Sequence, residues 1–250
     1  MQLLPHLALL MEGEKFFLKE CLFMSNIWYL SPSRQPENVG INGYGNEQEQ
    51  MYILTDAITP HLDRCGVSFH VADPEETLAQ RCRESNDMEA FYHLALHSNA
   101  GGNGKAWGPI AFYYSAGQPL AEKLSANLLA LGQANNRSSN VQQNTDLYEL
   151  RNAAAPAVLL EVDFHDSAVG VEFLTTRRNE IALAIARAIV EVDGKQWIDP
   201  SAGKENYKQQ VITLGLMKPN AQGNYRWDEP MTREEAAQAL ISLKTLLEKG

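Results

Sequence analysis

Three side chains carry the chemical interest of this sequence: Glu47, His97 and Glu161. Glu161 lies inside the apolar run AVLLEV, residues 157–162, where a carboxylate is costly to bury unless it meets a cation. A salt bridge to an arginine such as Arg151 is the structural alternative. His97 sits in LHSNAGGNG, where a predicted strand gives way to small residues that leave room for an ion or a substrate. A lone histidine in such a place is more often structural than a ligand. Here it has company, because Glu47 opens a predicted helix on the same rim. A Glu/His pair beside a further carboxylate is the donor and base inventory of a zinc hydrolase.

The elements that must bring these residues together alternate in type. Strands are predicted at Asn26–Leu30, Val67–Val71, Tyr92–His97, Ile110–Tyr114 and Ala157–Val162. The last, introduced by Pro156, is apolar enough to be buried on both faces. Helices are predicted at Glu47–Leu62, Glu75–Glu84, Pro119–Leu131 and Ile181–Val192. In the first of them Met51, Leu54, Ile58 and Leu62 form one apolar stripe. Asn46 is placed to cap it, and Pro60 is expected to loosen its last turn. Strands alternating with helices give an α/β fold: an open, twisted, mostly parallel sheet with helices on both faces. Ligands of such sheets bind beyond the carboxyl ends of the strands. The loop Ser31–Asn38, His97 and Glu161 all arrive there.

Composition narrows the partners. The 250 residues are 44% hydrophobic and 21% charged, ordinary for a globular chain. The net charge of −10 leaves no basic surplus for phosphates, so nucleic acid is not an expected partner. No apolar run reaches the roughly 20 residues of a membrane span. Cys21, Cys65 and Cys82 have neither disulfide-framework nor metal spacing. The charge is uneven: residues 24–193 hold eleven basic and 21 acidic side chains, so this block carries the whole surplus.

The flanks read differently. Residues 1–23 form an apolar extension without the basic region and cleavage site of a signal peptide. Lys19-Glu20 can be encoded AAGGAG, a ribosome-binding sequence, and translation is expected to start at Met24. Residues 194–204 read as a linker. Residues 205–250 read as a small helical unit. One helix spans Glu205–Leu214, Gly223-Asn224 marks a turn, and a second helix opens at Thr232, with Glu235 completing a capping box.

Residues 26–192 resemble a zinc-dependent N-acetylmuramoyl-L-alanine amidase catalytic domain of the Amidase_3 type. The resemblance rests on Glu47 with its helix, on LHSNA at 96–100 and on TDLYELRNAAAPAVLLEVDFHDS at 145–167. The last segment is similar to the family pattern xLRxxxxPAVLxExGFxSN. The resemblance implies Zn²⁺ held by a His, a Glu and a second His, with a second Glu as general base. Matched position by position, Glu47 is the ligand Glu, His97 the second ligand His and Glu161 the base. Asn99, Arg151 and His165 are the expected substrate contacts. The implied substrate is peptidoglycan, cut between N-acetylmuramic acid and L-alanine.

One ligand departs from that pattern. Where the family carries its first ligand His, in a DPGHGG-like loop after the first strand, this sequence reads SPSRQPEN with no histidine. Gln35 falls nearest, and its carbonyl oxygen is the expected, weaker third ligand. His165 is a second candidate, because Glu161, Asp163 and His165 would share one face of an extended strand. Two other readings stay open: an inactive amidase-like protein that only binds peptidoglycan, and a zinc peptidase acting on stem peptides. Residues 223–243 resemble the end of a surface-layer-homology motif. This implies a secondary cell-wall polymer as partner, with Tyr225, Arg226 and Trp227 as contacts. Without a signal peptide, the protein is expected to stay cytoplasmic until lysis in a phage, prophage or sporulation setting.

Overall fold

The computed structural model describes residues 26–101, 103–132, 140–200, 211–216, 219, 225 and 232–247. It divides into two compact units, 1–197 and 198–250. In the first unit six strands form one sheet: β1 (Ile27–Pro32), β2 (Ser68–Val71), β3 (Tyr92–Asn99), β4 (Ile110–Tyr114), β5 (Val141–Gln143) and β6 (Ala157–Phe164). Their spatial order is β2-β1-β3-β6-β4-β5. Every pairing is parallel except β4 against β6. The expected mostly parallel α/β sheet is therefore present.

Three short elements escaped prediction: β5, α4 (Tyr148–Asn152) and α5 (Ala168–Thr176). The first two are too short to show a period. The mean polarity of α5 is low, and its sequence AVGVEFLTT has no clear polar face. The remaining helices of this unit are α1 (Glu47–Arg64), α2 (Leu78–Asp87), α3 (Gln118–Leu129) and α6 (Arg178–Val192).

Alternation along the strands sorts the core into two layers. Leu30, Leu94, Leu96, Val158, Leu160 and Val162 face α1, α3 and α6 and belong to the main cluster. Ala95, Ala157 and Leu159 point the other way, toward Leu150 of α4. The near-continuous apolar run of β6 follows from this double burial. Its one intermediate position is Glu161.

Local signals explain the elements that frame the rim. Asn46 caps α1 by accepting from the Glu49 backbone N–H at 2.9 Å, and Glu47 and Glu49 complement the positive helix start. The helix continues beyond Pro60 to Arg64. The Thr59 hydroxyl donates to the Asp56 carbonyl that the missing Pro60 N–H leaves open, at 3.5 Å. Helix α2 starts three residues later than predicted, because Thr77 and Gln80 form a reciprocal capping box there. Gly170 lies where α5 turns back onto β6. A Cβ there would collide with the Phe164 carbonyl oxygen, so only glycine lets the two segments approach.

In the second unit one helix, α7, spans Arg233–Leu247. Residues 211–213 are helical within the span predicted for Glu205–Leu214, while 205–210 lie outside the described residues. So do Gly223-Asn224, Arg226, Trp227, residues 1–25 and 201–204 of the linker. Among the described residues no helix is long and apolar enough to cross a membrane.

Candidate active site at the carboxyl rim of the sheet

Strand register brings the first two residues together. His97 of β3 is the Cα partner of Glu161 on β6, so their side chains leave the sheet on the same face. Glu47 reaches them from the first turn of α1. Its Oε1 lies 2.7 Å from His97 Nδ1 and accepts from the Ser98 backbone N–H at 3.4 Å. Both residues are buried.

The loop between β1 and α1 supplies the rest of the cluster. Ser33 N–H donates to Leu96 O at 2.8 Å, and Glu47 N–H donates to Asn38 O at 2.9 Å. These bonds hold the turn that carries Gln35. Gln35 Nε2 stands 3.3 Å from His97 Nδ1. Asn38 Nδ2 donates both to Gln35 Oε1 (2.6 Å) and to Glu47 Oε2 (2.8 Å). Gln35, Glu47 and His97 thus lie in one hydrogen-bonded cluster.

The other expected contacts spread around the rim. Asn99 is half-buried, and its backbone oxygen accepts from His165 N–H at 2.8 Å. Arg151 is exposed and pairs with no carboxylate among the described residues. Arg151 is therefore not the partner of Glu161 among the described residues. His165 does not join the ligand cluster. Strand β6 ends at Phe164, so the alternation that would align His165 with Glu161 stops one residue short. His165 instead stacks on Tyr44 at 5.7 Å and meets the Ser98 hydroxyl through Nδ1 at 2.9 Å.

A layer of charge beneath the cluster was missed from sequence. Glu149 of α4 is buried; its Oε1 accepts from the Ser31 hydroxyl at 2.5 Å and meets His93 Nε2 at 3.1 Å. Its Oε2 faces His97 Nε2 at 3.9 Å. His93 is fully buried in this network. Arg81 of α2, also fully buried, donates to Ser31 Oγ, to the Pro32 carbonyl, to Tyr52 OH and to the Asp73 carbonyl. The available signal was Glu149 beside the apolar core residue Leu150 in LYELR, but nothing local points from it to His93.

The electrostatics follow from this crowding. Burial by itself drives the His97 imidazole toward neutrality, but the Glu149 and Glu47 carboxylates outweigh it and push its pKa up. Burial likewise raises Glu47, yet His97 and the Asn38 amide hold it below the ordinary carboxylate range. Glu149 is lowered further, burial being overcome by His93 and His97.

The donor chemistry can be weighed directly against a divalent cation. Among the described residues no three His, Cys, Asp or Glu side chains form a ligand group. The convergent set is a carboxylate, an imidazole nitrogen and a carboxamide. His97 Nε2 is buried with no hydrogen-bond partner among the described residues. Glu47 and His97 are donor types that suit a divalent cation, whereas Gln35 turns its Nε2 toward His97 and its carbonyl oxygen toward Asn38.

An open, mostly parallel α/β sheet with a carboxylate–imidazole cluster at its carboxyl rim is the class of protein this geometry defines. Residues 32–191 match the N-acetylmuramoyl-L-alanine amidase family, Amidase_3, and the chain belongs to that family. Similar solved structures include the N-acetylmuramoyl-L-alanine amidase AmiC2 of Nostoc punctiforme. It is 20% identical with a TM-score of 0.61, covering 67% of this chain and 97% of that one. The catalytic domain of CwlV, an N-acetylmuramoyl-L-alanine amidase from Bacillus (Paenibacillus) polymyxa var. colistinus, is 17% identical with a TM-score of 0.59, covering 68% and 99%. The catalytic domain of the CD27L endolysin targeting Clostridia Difficile is 18% identical with a TM-score of 0.53, covering 67% and 97%. At these identities the likeness is one of fold. No curated protein matches the sequence.

Proposed function

We propose that this protein is a zinc-dependent peptidoglycan hydrolase that cleaves the amide between N-acetylmuramic acid and L-alanine. The observation that carries the reading is the convergence of Gln35, Glu47 and His97 beside Glu161, within a chain of the amidase family. Glu47, His97 and the Gln35 carbonyl would hold the cation. A zinc ion there supplies Lewis-acid polarisation of the scissile carbonyl and makes a nearby water more acidic. Glu161 takes the proton from the attacking water and delivers it to the departing amine of L-alanine. Its half-exposed position on β6 suits that shuttle. Asn38 orients both Gln35 and Glu47. Asn99, Arg151 and His165 border the rim as substrate contacts.

The appended unit, residues 205–250, is proposed to bind a secondary cell-wall polymer through Tyr225, Arg226 and Trp227. The setting proposed for the enzyme is cell lysis, where a protein made in the cytoplasm meets the wall.

A second reading has one observation behind it. Glu47 already contacts His97 Nδ1 at 2.7 Å, and the third proposed ligand is an amide. A protein that binds peptidoglycan without cutting it would look the same. Digestion of purified cell walls by the full chain, followed by mass spectrometry of the products, tests the proposal. Hydrolysis of the proposed bond yields free L-alanine amino termini and peptide-free glycan. Cuts within the stem peptide would make it a peptidase. Intact walls would leave only binding.

A further inference from the structure

We infer that Tyr44 is a positioning residue for substrate binding: together with Ser98 it fixes the His165 ring, so that Nε2 is the ring atom offered to a muramoyl-peptide at the rim. The inference rests on the reading that peptidoglycan binds there, and it concerns residues outside the proposed metal ligands and base. Ser98 places the group beside the cleft. It follows His97 in β3, and its backbone N–H donates to Glu47 Oε1 at 3.4 Å.

His165 is held at every point but one. Its backbone N–H donates to Asn99 O at 2.8 Å, and its carbonyl accepts from Ile41 N–H at 3.0 Å. Its ring stacks on the Tyr44 ring, with centroids 5.7 Å apart and planes 15° apart. Nδ1 stands 2.9 Å from Ser98 Oγ, and the Tyr44 hydroxyl donates to the same oxygen at 2.9 Å. Tyr44 thus holds the face of the imidazole directly and its Nδ1 edge through Ser98. Nε2 has no hydrogen-bond partner among the described residues, yet unlike His97 Nε2 it is not sealed from solvent. Stacking and hydroxyl hydrogen bonds are both directional, so together they set the ring's orientation as well as its place.

The turn that carries Tyr44 is itself fitted to His165. Gly40 N–H donates to Gly45 O at 2.9 Å, and Tyr44 N–H donates to Ile41 O at 3.0 Å. A Cβ on Gly40 would meet Tyr44 side-chain carbons at 2.6 and 2.8 Å and the His165 carbonyl oxygen at 2.9 Å. The backbone therefore lies against both partners of the stack, and neither ring can slide without moving the turn.

Steady-state cleavage of a muramoyl-peptide by the full chain, with His165→Ala, Tyr44→Leu, Tyr44→Phe and the double variant His165→Ala/Tyr44→Leu, tests the inference. His165→Ala is expected to raise KM about 5–10-fold while kcat moves little, as when one hydrogen bond made equally before and during reaction is lost. Tyr44→Leu should raise KM to a similar extent, and Tyr44→Phe, which keeps the stack, should raise it less. In the His165→Ala background Tyr44→Leu should add nothing further, because the ring it positions is gone. Additive effects would assign Tyr44 to packing alone and overturn the inference, as would a parent-like KM in His165→Ala. If Tyr44→Leu does not fold, Ser98→Ala removes only the Nδ1 partner and carries the same expectation in the same cycle. Calorimetric binding of the same muramoyl-peptide separates this inference from the hydrolase reading. A parent that binds without cutting ends the hydrolase reading, and about 5–10-fold weaker binding by His165→Ala would still uphold the inference. Equal binding by parent and His165→Ala would overturn it, and a parent that does not bind the fragment overturns both.

Discussion

His97 and Glu161 are register partners on adjacent parallel strands, so a proposed ligand and a proposed base rise from neighbouring positions on one face of the sheet. Their spacing is set by backbone pairing rather than by side-chain packing. Removing the Glu161 carboxylate should therefore leave both the sheet and the metal ligands in place. Glu161→Gln is predicted to keep the parent's circular dichroism and zinc content and to lose about 10²–10⁴-fold in turnover. Hydrolysis at the parent rate would remove Glu161 from its role.

Gln35 is the weakest of the three proposed ligands, because a carboxamide oxygen binds zinc less well than imidazole. Gln35→Ala is predicted to lower zinc affinity, and Gln35→His to raise it above the parent's. Isothermal titration of the three proteins gives the order. An unchanged affinity in Gln35→Ala would show that this side chain is not a ligand.

The same cluster predicts how stability varies with pH in the cation-free protein. Glu47 and Glu149 are held below the ordinary carboxylate range. Their contribution is present above the unfolded value of about 4.3 and is lost as the pH falls through their native values. His97 is shifted the other way, to about 10 in the folded chain. Its contribution is complete below about 6.5 and is lost as the pH rises toward that folded value. The melting temperature after chelation should therefore be highest in mildly acidic buffer and decline from pH 7 to pH 9. His97→Gln should flatten the alkaline decline; an equally steep decline in that variant would refute the assignment.

Arg81 makes a stability prediction that is separate from catalysis. Its guanidinium is fully buried and satisfies Ser31, Tyr52 and two backbone carbonyls. Arg81→Met keeps much of the volume but leaves those carbonyls without their donor. The expected loss is about 3 kcal/mol in urea unfolding. A loss below about 0.5 kcal/mol, ordinary for a surface substitution, would mean the network contributes little.

What the sequence revealed of this molecule followed from local patterning. The alternation of strands and helices was legible because β1, β3, β6, α1 and α6 each carry a strong period or an unbroken apolar run. Glu47 stood out because it opens a helix, His97 because its strand runs into small residues, and Glu161 because it interrupts an apolar run. Glu149 and His93 did not. They are 56 residues apart in sequence, and α4 is a five-residue helix with no periodicity of its own. Arg81 was hidden for a related reason. A charged residue within LAQRCRESND reads as solvent-facing, and only the β1 rim beneath it makes that position interior. His165 lies one residue past the end of β6, so strand alternation does not carry it onto the Glu161 face.

The central claim is metal-dependent cleavage of the amide between N-acetylmuramic acid and L-alanine. It is tested most directly by titrating chelated full-length protein with zinc while measuring cleavage of a muramoyl-peptide by mass spectrometry. Release of the L-alanine-terminated peptide should rise with added zinc and level off at one equivalent per chain. No release at any zinc concentration, or release that does not depend on zinc, would contradict the claim.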